Sequence, residues 1–494
     1  DACEGFFLFS DNTFPHMGNA SDGSAATLIL IQSTGPIVPP SILHLVNKEL
    51  VHQQNYNRRS TFLKISPESK RLVEVLCSKA EVKGTPSINA IYSLRINGMD
   101  SGLVFTVKYQ KPARPIMWVT PSTPGIEQFF ESIPENTRVF LSAGEYSFNR
   151  AIRLKDGIEF IGNNSATFKT SMQLTNGGSY DQLIFYPEPQ NAIFRGITFI
   201  VPGNLTYGGA NRNGGIHFDS CTFLPARRFF TQYAGVGIQG PNCTFHDCRF
   251  RRVALVVPSY TMVYNSVFEG LAGPAGENHA LTFYQSTSSA VVCTRFDGTD
   301  RGPLFRNNSS WNYMGGIELL NINKVHNGNE IILFEKTGDS VSTFEFNIFY
   351  QFRVYNCEGP INLWQKVLNC VFSDFILDNS VRVILFGLEE QKGNLFENME
   401  FRGGGFIFMG GAIDNEIRNI AFVTFQNTRS NQDGVWNMLY DALIPKPDWF
   451  PYPAPSGPIH CQSASNVPKM SGVLAYGVPD SAKTIPSFFP ASVK

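Results

Sequence analysis

Two segments of the sequence hold most of the side chains that could do acid–base chemistry. They are residues 269–278 and 297–315, which form long insertions and lead into short apolar runs. Two carboxylates there could serve as acid and base, or as acid and nucleophile, in glycoside hydrolysis. Alternatively, an Arg or a His beside a carboxylate could assist β-elimination from a uronic acid. The candidate catalytic residues are Glu277, Glu318, His279 and Arg306.

Aromatic residues near the same segments add a reason to consider carbohydrate. Tyr and Trp can stack on a sugar ring through their apolar faces, and the candidates for carbohydrate binding are Tyr284, Trp311 and Tyr313. However, any stretch of about 50 residues contains a few such side chains, and charged residues in loops are usually only solvated. A non-catalytic surface therefore stays the stronger interpretation of this set.

A short repeated pattern determines how these residues must be positioned. It consists of a polar residue, a small residue, any residue and Phe, and its copies lie 18 to 29 residues apart with one gap of 76. A period in this range indicates a solenoid. The Phe positions of the copies are Phe223, Phe250, Phe268, Phe296, Phe372, Phe401 and Phe422.

The spacing inside the repeat indicates which solenoid it is. The small residue and the Phe are two positions apart, so in a strand they point to the same side. The residue between them is polar or variable, as Arg249 and Glu400 are, and should face solvent. An Asn or Asp before the strand suits a sharp corner, because both tolerate left-handed backbone. We therefore predict an all-β parallel β-helix of about eleven coils, with stacked, buried Phe rings inside and a ladder of Asn amides at the corner.

The start of the repeat region resembles a known superfamily. A short helix is predicted from Ile126, followed by a strand, by Gly-x-Tyr at 144–146 and by Gly-Ile-x-Phe-Ile-Gly at 157–162. This order resembles the first coils of right-handed parallel β-helix proteins, the superfamily of pectate-lyase-like enzymes and phage tailspikes, over roughly residues 123–425. The resemblance implies a right-handed solenoid, a polysaccharide or cell-surface glycan as partner, and a homo-oligomer. It is specific for the fold and does not fix the chemistry.

Motifs of individual enzyme families within this superfamily are mostly absent. The polygalacturonase-type pattern of Asn-Thr-Asp, Asp-Asp, Gly-His-Gly and Arg-Ile-Lys does not occur. Residues 327–330, Asn-Gly-Asn-Glu, resemble a motif of the alginate and chondroitin lyase family, in which a catalytic Lys and Arg follow, and Lys366 would correspond to that Lys. The expected Arg position falls near Leu385 and Phe386, so the sequence departs from the family pattern there.

Composition divides the chain into four parts. Residues 1–108 lack the repeat and are predicted to form a small β-rich attachment or assembly domain, with a hairpin around Asn97-Gly98. Residues 109–125 are predicted to be a Pro-rich linker, and residues 126–426 the β-helix. Residues 427–494 are rich in Pro and aromatics and are predicted to be a cap or an extended arm, because a solenoid end exposes apolar interior and unpaired strand edges.

Charge and cysteine content restrict the partners. The net charge is −1 and only 16% of residues are charged, so no basic surface for nucleic acid or an anionic membrane is predicted. No apolar run reaches the length of a membrane span, about 18 to 20 residues. Nine cysteines is an odd number, so at least one is unpaired or bonded between chains. No zinc-like spacing of Cys and His occurs, and we predict no metal site and no cofactor.

Three functions stay open at this point. The first is a tailspike-like protein, extracellular or on a virion surface, that engages polysaccharide with or without cleaving it. The second is a non-catalytic structural component of a virion, sheath or filament, assembled through the N-terminal domain and the C-terminal arm. The third is a secreted polysaccharide lyase. The sequence does not decide whether the chain is an enzyme, but sparse titratable residues and absent enzyme motifs favour a structural role over catalysis.

Overall fold

The computed structural model describes the backbone of eight strands between residues 7 and 110 and parts of the chain from residue 115 onward. Side chains are described at 115–150, 152–169, 192–200, 216–225, 243–257, 259, 261–270, 279–287, 289–322, 330–335, 341–357, 359–363, 365–378, 383, 390–408, 410–423, 459, 461 and 463–474. Backbone alone is described for the remaining strand residues beside these ranges and at 235–237, 382–385 and 487–488.

A mixed eight-stranded sheet lies in the N-terminal part of the chain. Its strands are β1 (Phe7–Phe9), β2 (Ala26–Leu30), β3 (Ser41–Val46), β4 (Glu49–Val51), β5 (Ser60–Lys64), β6 (Leu72–Lys83), β7 (Ser87–Ile96) and β8 (Met99–Gln110). They are ordered β1-β2-β3-β4-β8-β7-β6-β5, and only the β4–β8 pair is parallel. Strands β7 and β8 pair antiparallel from Ser87 to Ile96, so the predicted hairpin is confirmed.

The next elements of the chain are short strands and one helix. They are β9 (Ile116–Val119), α1 (Ile126–Ser132), β10 (Arg138–Leu141), β11 (Gly144–Phe148), β12 (Glu159–Thr170), β13 (Ala192–Val201), β14 (Ile216–Asp219), β15 (Thr222–Pro225), β16 (Gly235–Gly237), β17 (Thr244–His246), β18 (Arg249–Arg251), β19 (Ala254–Val257), β20 (Met262–Tyr264), β21 (Val267–Glu269), β22 (Leu281–Tyr284), β23 (Ala290–Val292) and β24 (Arg295–Asp297).

The remaining elements continue the same pattern. They are β25 (Leu304–Arg306), β26 (Tyr313–Leu320), β27 (Ile332–Glu335), β28 (Thr343–Glu345), β29 (Ile348–Tyr355), β30 (Ile361–Leu363), β31 (Lys366–Leu368), β32 (Val371–Asp378), β33 (Arg382–Leu385), β34 (Glu390–Lys392), β35 (Leu395–Gly403), β36 (Gly405–Phe408), β37 (Gly411–Ile413), β38 (Glu416–Phe425), β39 (Ile459–Cys461), a 3-10 turn (Ala464–Asn466), β40 (Lys469–Ser471), β41 (Leu474–Ala475) and β42 (Ser487–Phe488).

The chain forms two compact units. The first consists of residues 1–65, 69–267 and 286–294, and the second of residues 66–68, 268–285 and 295–494. In the first unit, parallel pairing builds sheet 1A from β9, β10, the first halves of β12 and β13, β14, β17, β20 and β23. Sheet 1B contains β11, the second halves of β12 and β13, β15 and β18, and sheet 1C contains β16 and β19.

The second unit has four parallel sheets. Sheet 2A contains the first halves of β26, β29, β32, β35 and β38 with β40, and sheet 2B contains β24, the second halves of those strands and β41. Sheet 2C contains β22, β25, β27, β30, β33, β36, β39 and β42, and sheet 2D contains β28, β31, β34 and β37. Each coil pairs in parallel with the next, so the predicted right-handed parallel β-helix is confirmed.

Stacked Phe rings fill the interior, as predicted, but they form several columns rather than one. In the first unit, Phe223 stacks on Phe250 in sheet 1B with ring centroids 4.7 Å apart, and a second column in sheet 1A consists of Phe160, Phe194, Phe218 and Phe245. In the second unit, Phe268 stacks on Phe296 and Phe401 on Phe422. Phe372 belongs to the other column, sheet 2A, where it stacks between Phe349 and Phe396 at 4.6 and 4.9 Å. Its placement beside Phe401 in a single predicted column is therefore wrong, although the ring is buried and stacked.

The polar residue at the corner adopts the left-handed backbone that its type predicts. In the first unit φ is 55° at Ser220, 51° at Asp247 and 49° at Asn265. In the second unit φ is 53° at Asn398 and 50° at Asn419. A side chain that bonds to local backbone lowers the cost of this conformation, which explains why Asn and Asp occur there.

The predicted ladder of Asn amides exists, but its main part is built by other residues. In the second unit, Asn312 is buried and donates its side-chain amide to Asn347 Oδ1 at 3.1 Å, and Asn394 donates to Asn415 Oδ1 at 3.0 Å. Of the predicted corner residues, Asn419 donates to Asn398 at 3.2 Å, and that pair is exposed. The buried ladder sits directly before the strands of sheet 2A, where an unpaired amide would be costly.

Strands also occur in segments predicted to be linker and cap. Strand β9 lies within residues 109–125 and pairs in register with β10, and β39 to β42 lie within residues 427–494 and pair in parallel with strands of the second unit. The boundaries between the four predicted parts of the chain stay predictions. Six described cysteines are buried free thiols, and no described helix is long and apolar enough to cross a membrane.

Candidate functional site

The structure places His279 just before β22 of sheet 2C and Arg306 on β25 of that sheet, near enough for Arg306 to lower the pKa of His279. The His279 ring is buried; its Nδ1 donates to Gly302 O at 2.9 Å, and its Nε2 faces Arg301 Nη1 at 3.5 Å. Burial and the charge of Arg301 lower the pKa of His279 to about 3, so the ring is neutral at physiological pH. Arg306 is half-buried and forms an ion pair with Glu335 at 2.7 Å. Glu277 lies outside the described residues.

Tyr284 is the one predicted carbohydrate-binding residue that is exposed. It lies on β22 in register with Arg306 on β25, which is in register with Glu335 on β27. Its side chain is 42% exposed. An aromatic ring, a guanidinium and a carboxylate thus follow one another across three consecutive coils.

The other three predicted residues lie on different parts of the second unit. Glu318 is on the exposed face of sheet 2B, in register between Arg295 and Arg353. Trp311 is half-buried at a left-handed corner and stacks on Phe346, with ring centroids 4.3 Å apart. Tyr313 is buried, and burial raises the pKa of its hydroxyl well above the usual range. These residues are not brought together with His279 and Arg306 into one site.

A buried group of polar side chains, which we call the acid cluster, surrounds His279. It consists of His279, Arg301, Glu330 and Asn362, from consecutive coils. Glu330 is 1% exposed and its Oε2 has no hydrogen-bond partner, and Asn362 is fully buried with neither amide atom bonded. Burial raises the pKa of Glu330 to about 7, although the Arg301 charge opposes the shift. Glu330 was singled out by the lyase-like motif; Lys366, its expected companion, lies on sheet 2D instead.

The first unit contains a different arrangement, which we call the ion-pair ladder. It runs along the outer face of sheet 1A through Arg138, Glu159, Arg195, Asp219 and His246. Arg138 and Arg195 each donate to Glu159, at 2.7 and 2.8 Å, Arg195 also pairs with Asp219, and His246 Nδ1 lies 2.7 Å from Asp219 Oδ1. Burial opposes ionisation of Glu159, but the two guanidinium groups outweigh it and lower the pKa of Glu159.

The buried end of the ladder has its polar groups bonded to one another. The His246 ring stacks on Tyr264 with centroids 4.1 Å apart, and its Nε2 lies 3.5 Å from Asp247. Asp219, His246 and Asp247 bring ligand-type atoms within 4.8 Å of one another. Because Asp219 already accepts from Arg195 and His246, this triplet is explained as a hydrogen-bonded unit without an ion. His217 beside it is neutral, since burial lowers its pKa to about 4.

An exposed aromatic pair lies at the other end of the same face. Trp118 on β9 is 72% exposed and stacks on Phe140 of β10, with centroids 4.6 Å apart and planes 19° from parallel. Phe140 is in register with Ile161, which is in register with Arg195 of the ladder. The repeat of small residue and Phe does not reveal this pair, because β9 lies before the first copy of that repeat. The alternation of Ile116 and Trp118 with inward residues was the available signal.

Comparisons with known proteins give similarities in structure only. No protein-family model and no curated protein matches the sequence. The N-terminal fragment of bacteriophage Phi29 gene product 12 is 13% identical with a TM-score of 0.44, covering 73% of this chain and 71% of that one. A Yersinia enterocolitica family 28 exopolygalacturonase is 11% identical with a TM-score of 0.40, covering 97% and 100%. PfbA, a surface adhesin of Streptococcus pneumoniae, is 12% identical with a TM-score of 0.33, covering 57% and 81%. These similarities assign no activity, ligand or partner to this chain.

Proposed function

We propose that this chain is a polysaccharide-binding β-helix protein that acts outside the cell or on a virion surface. The glycan lies on the outer face of sheet 1A, beginning at the aromatic pair. The observation that carries the proposal is the exposed indole of Trp118, stacked on Phe140 at the end of a row of charged side chains.

The aromatic pair has the shape that a sugar ring requires. Large aromatic side chains are usually buried, so an indole with 72% of its surface exposed indicates a contact surface. Stacking on Phe140 fixes the orientation of the indole and leaves its opposite face open. A preoriented flat apolar surface is suited to the C–H face of a pyranose.

The side chains beside the aromatic pair supply polar contacts. Arg138 adjoins Phe140 on β10, and its side chain is 24% exposed; Arg195 is 25% exposed. Glu159 accepts from Nε of both Arg138 and Arg195, which holds the two partly exposed guanidinium groups in place. Rigid donors on a strand lose little entropy when they bind hydroxyl or carboxylate groups of a glycan.

Binding without cleavage is the better supported form of this proposal. A general acid or base must reach the scissile bond. In the described part of the chain, Asp219, His246, His279 and Glu330 are buried, and Glu159 is held between two guanidinium groups. Glu318, which is exposed, lies in register with two Arg residues and with no second carboxylate.

The proposal is tested with purified acidic and neutral polysaccharides. Binding of the full chain is measured by biolayer interferometry, and release of reducing ends is followed in parallel. We expect binding without release, and we expect Trp118→Ala to weaken it by at least about tenfold, the loss of one stacked ring. Tyr284→Ala is the matched control, since it removes an exposed aromatic from the second unit and should leave binding unchanged.

Each outcome distinguishes a different conclusion. Loss of binding in Tyr284→Ala with retention in Trp118→Ala moves the site to sheet 2C and contradicts the placement. Release of reducing ends contradicts binding without cleavage. No binding by the wild-type chain to any polysaccharide contradicts the proposal itself.

An assembly role is the second candidate, and the edge of sheet 1A favours it. Among the described register pairs, β9 is joined to β10, and both Ile116 and Trp118 on it are exposed, at 60% and 72%. An exposed apolar strand edge can pair with another subunit. Mass photometry of wild type and Trp118→Ala tests this, because an assembly surface predicts that the variant shifts the oligomeric state while glycan binding stays unchanged.

A further inference from the structure

We propose that Glu330 is a proton-controlled latch in the second unit. With its carboxyl protonated, Glu330 joins Asn362 of the next coil and the start of β27 stays packed; when the proton is lost, the start of β27 opens. The latch is separate from glycan binding, and its test does not depend on the proposed function.

The packing around Glu330 excludes water. Gly302 donates its backbone N–H to Glu330 O at 3.3 Å, and a Cβ on Gly302 would meet Ile331 O at 1.8 Å. Only glycine therefore allows the two coils to approach this closely. The carboxyl of Glu330 is 1% exposed in consequence, and a charged carboxylate there would lack solvation.

Among the described side chains near Glu330, the amide of Asn362 is an uncharged partner suited to its carboxyl. The amide lies near enough to influence the Glu330 carboxyl, but neither amide atom reaches hydrogen-bond geometry. The amide N–H of Asn362 favours the ionised carboxylate, but burial of Glu330 outweighs this effect. A protonated carboxyl is the more complete partner, because it can accept from the amide N–H and also donate to Asn362 Oδ1, whereas an ionised carboxylate has no donor for that oxygen.

The charged groups around Glu330 do not hold it ionised. Arg301 is the nearest cation, but its guanidinium also faces His279 Nε2, and its Nε has no partner. His279 is neutral, and Arg306 is paired with Glu335, whose own charge acts against ionisation of Glu330. Asp300, on the coil of Arg301, is a further buried carboxyl group. The loss of solvation on burial thus outweighs the attraction of Arg301 for the carboxylate, and the pKa of Glu330 rises to about 7 from an ordinary 4.5.

The raised pKa sets the direction of the response. Below pH 4.5 the carboxyl is protonated whether the strand start is packed or open, so pH does not change the equilibrium. Between pH 4.5 and about 7 the packed form holds a proton that the open form has lost, so the opening constant rises about tenfold per pH unit. Above about pH 7 both forms are ionised and the rise stops.

Hydrogen–deuterium exchange on the full chain tests the latch. Peptides covering β27 are followed from pH 5 to pH 8.5, with rates corrected for intrinsic exchange. We expect opening of the β27 amides to rise steeply up to about pH 7 and then to level off. Glu330→Gln keeps the shape of the protonated carboxyl and cannot ionise, so its β27 opening should be independent of pH. Glu400→Gln, which neutralises a partly exposed carboxylate on β35 of sheet 2B, is the control and should keep the wild-type profile.

Two results would overturn the latch. One is a wild-type chain whose corrected β27 exchange is flat over this range. The other is a Glu330→Gln variant with the wild-type pH profile. The wild-type measurement alone is informative, so the test does not require the variant to fold.

Discussion

The ion-pair ladder of the first unit and the acid cluster of the second unit both bury ionisable side chains, but they satisfy them differently. In the ladder, Arg195 bridges Glu159 and Asp219, and each carboxylate has a second partner. In the acid cluster, Glu330 Oε2 and both amide atoms of Asn362 are buried without hydrogen-bond partners. Paired charges stay ionised and rigid, whereas an unpaired acid takes up a proton. The same fold thus holds one carboxylate, Glu159, whose ionised form is favoured by its Arg partners and one, Glu330, whose protonated form is favoured by burial.

Breaking the ladder should give the largest effect. Asp219→Ala leaves Arg195 with one partner fewer and His246 without its acceptor in a buried position. We expect a loss of about 3 kcal/mol in the free energy of unfolding, as found when one member of a buried ion pair is removed. Urea unfolding measures it; a loss below about 0.5 kcal/mol would show that the ladder is not structural.

Removing the charge of Glu330 in the acid cluster should change the free energy of unfolding in the opposite direction, towards higher stability. At pH 8 Glu330 is ionised in the folded chain at an energetic cost, because its pKa of about 7 lies above that of the unfolded chain. Glu330→Gln should therefore raise the free energy of unfolding at pH 8 by about 2 kcal/mol, and by much less at pH 5. Urea unfolding at both pH values gives the comparison, and destabilisation at pH 8 would contradict the contrast between the two sites.

Low pH should affect the stability of the ion-pair ladder and of the acid cluster differently. The pKa of Glu159 is lowered by Arg195 and Arg138, so its stabilising effect is present above the ordinary pKa of 4.5 and is lost as pH falls through the lowered value. We expect about 1 kcal/mol of local stability to disappear from β12 and β13 below pH 4. Hydrogen exchange of peptides from these strands measures it, and Glu135→Gln, which alters an exposed carboxylate between α1 and β10, is a suitable control.

The half-exposed ion pair of Arg306 and Glu335, beside the acid cluster, should contribute least to the free energy of unfolding. Arg306 and Glu335 are about one third exposed, so solvent screens their attraction. We expect Arg306→Met to change the free energy of unfolding by less than about 1 kcal/mol. A larger change in urea unfolding would mean that Arg306 acts within the acid cluster rather than beside it.

The interior of this protein could be predicted from its sequence, because the interior is a local pattern. A small residue and a Phe two positions apart specify one strand face, whichever coil they occupy. The pattern failed at Phe372 because Asn369 and Asn398 are both left-handed corner residues, at φ 54° and 53°, but precede strand segments of different sheets, 2A and 2B. Because the local chemistry is the same at both corners, the sequence does not show which sheet follows each of them.

The outer faces could not be predicted in the same way. The ladder joins Arg138 to Glu159, and Arg195 to Asp219, across coils whose lengths vary. Which residue faces which depends on register between coils, and no local signal encodes it. Trp118 stands out by its exposure and Glu330 by its burial, and neither property can be read from the sequence.

The buried amide ladder joins each coil to both of its neighbours, and this bears on how the chain is made. Asn347 donates to Ser309 O, Asn394 to Val367 O and Asn415 to Gln391 O, each on the preceding coil. Asn312 and Asn394 also donate to Asn347 Oδ1 and Asn415 Oδ1, each on the following coil. A coil leaving the ribosome can therefore dock on the coil before it, but its amide gains its full set of partners only when the next coil has been translated and added.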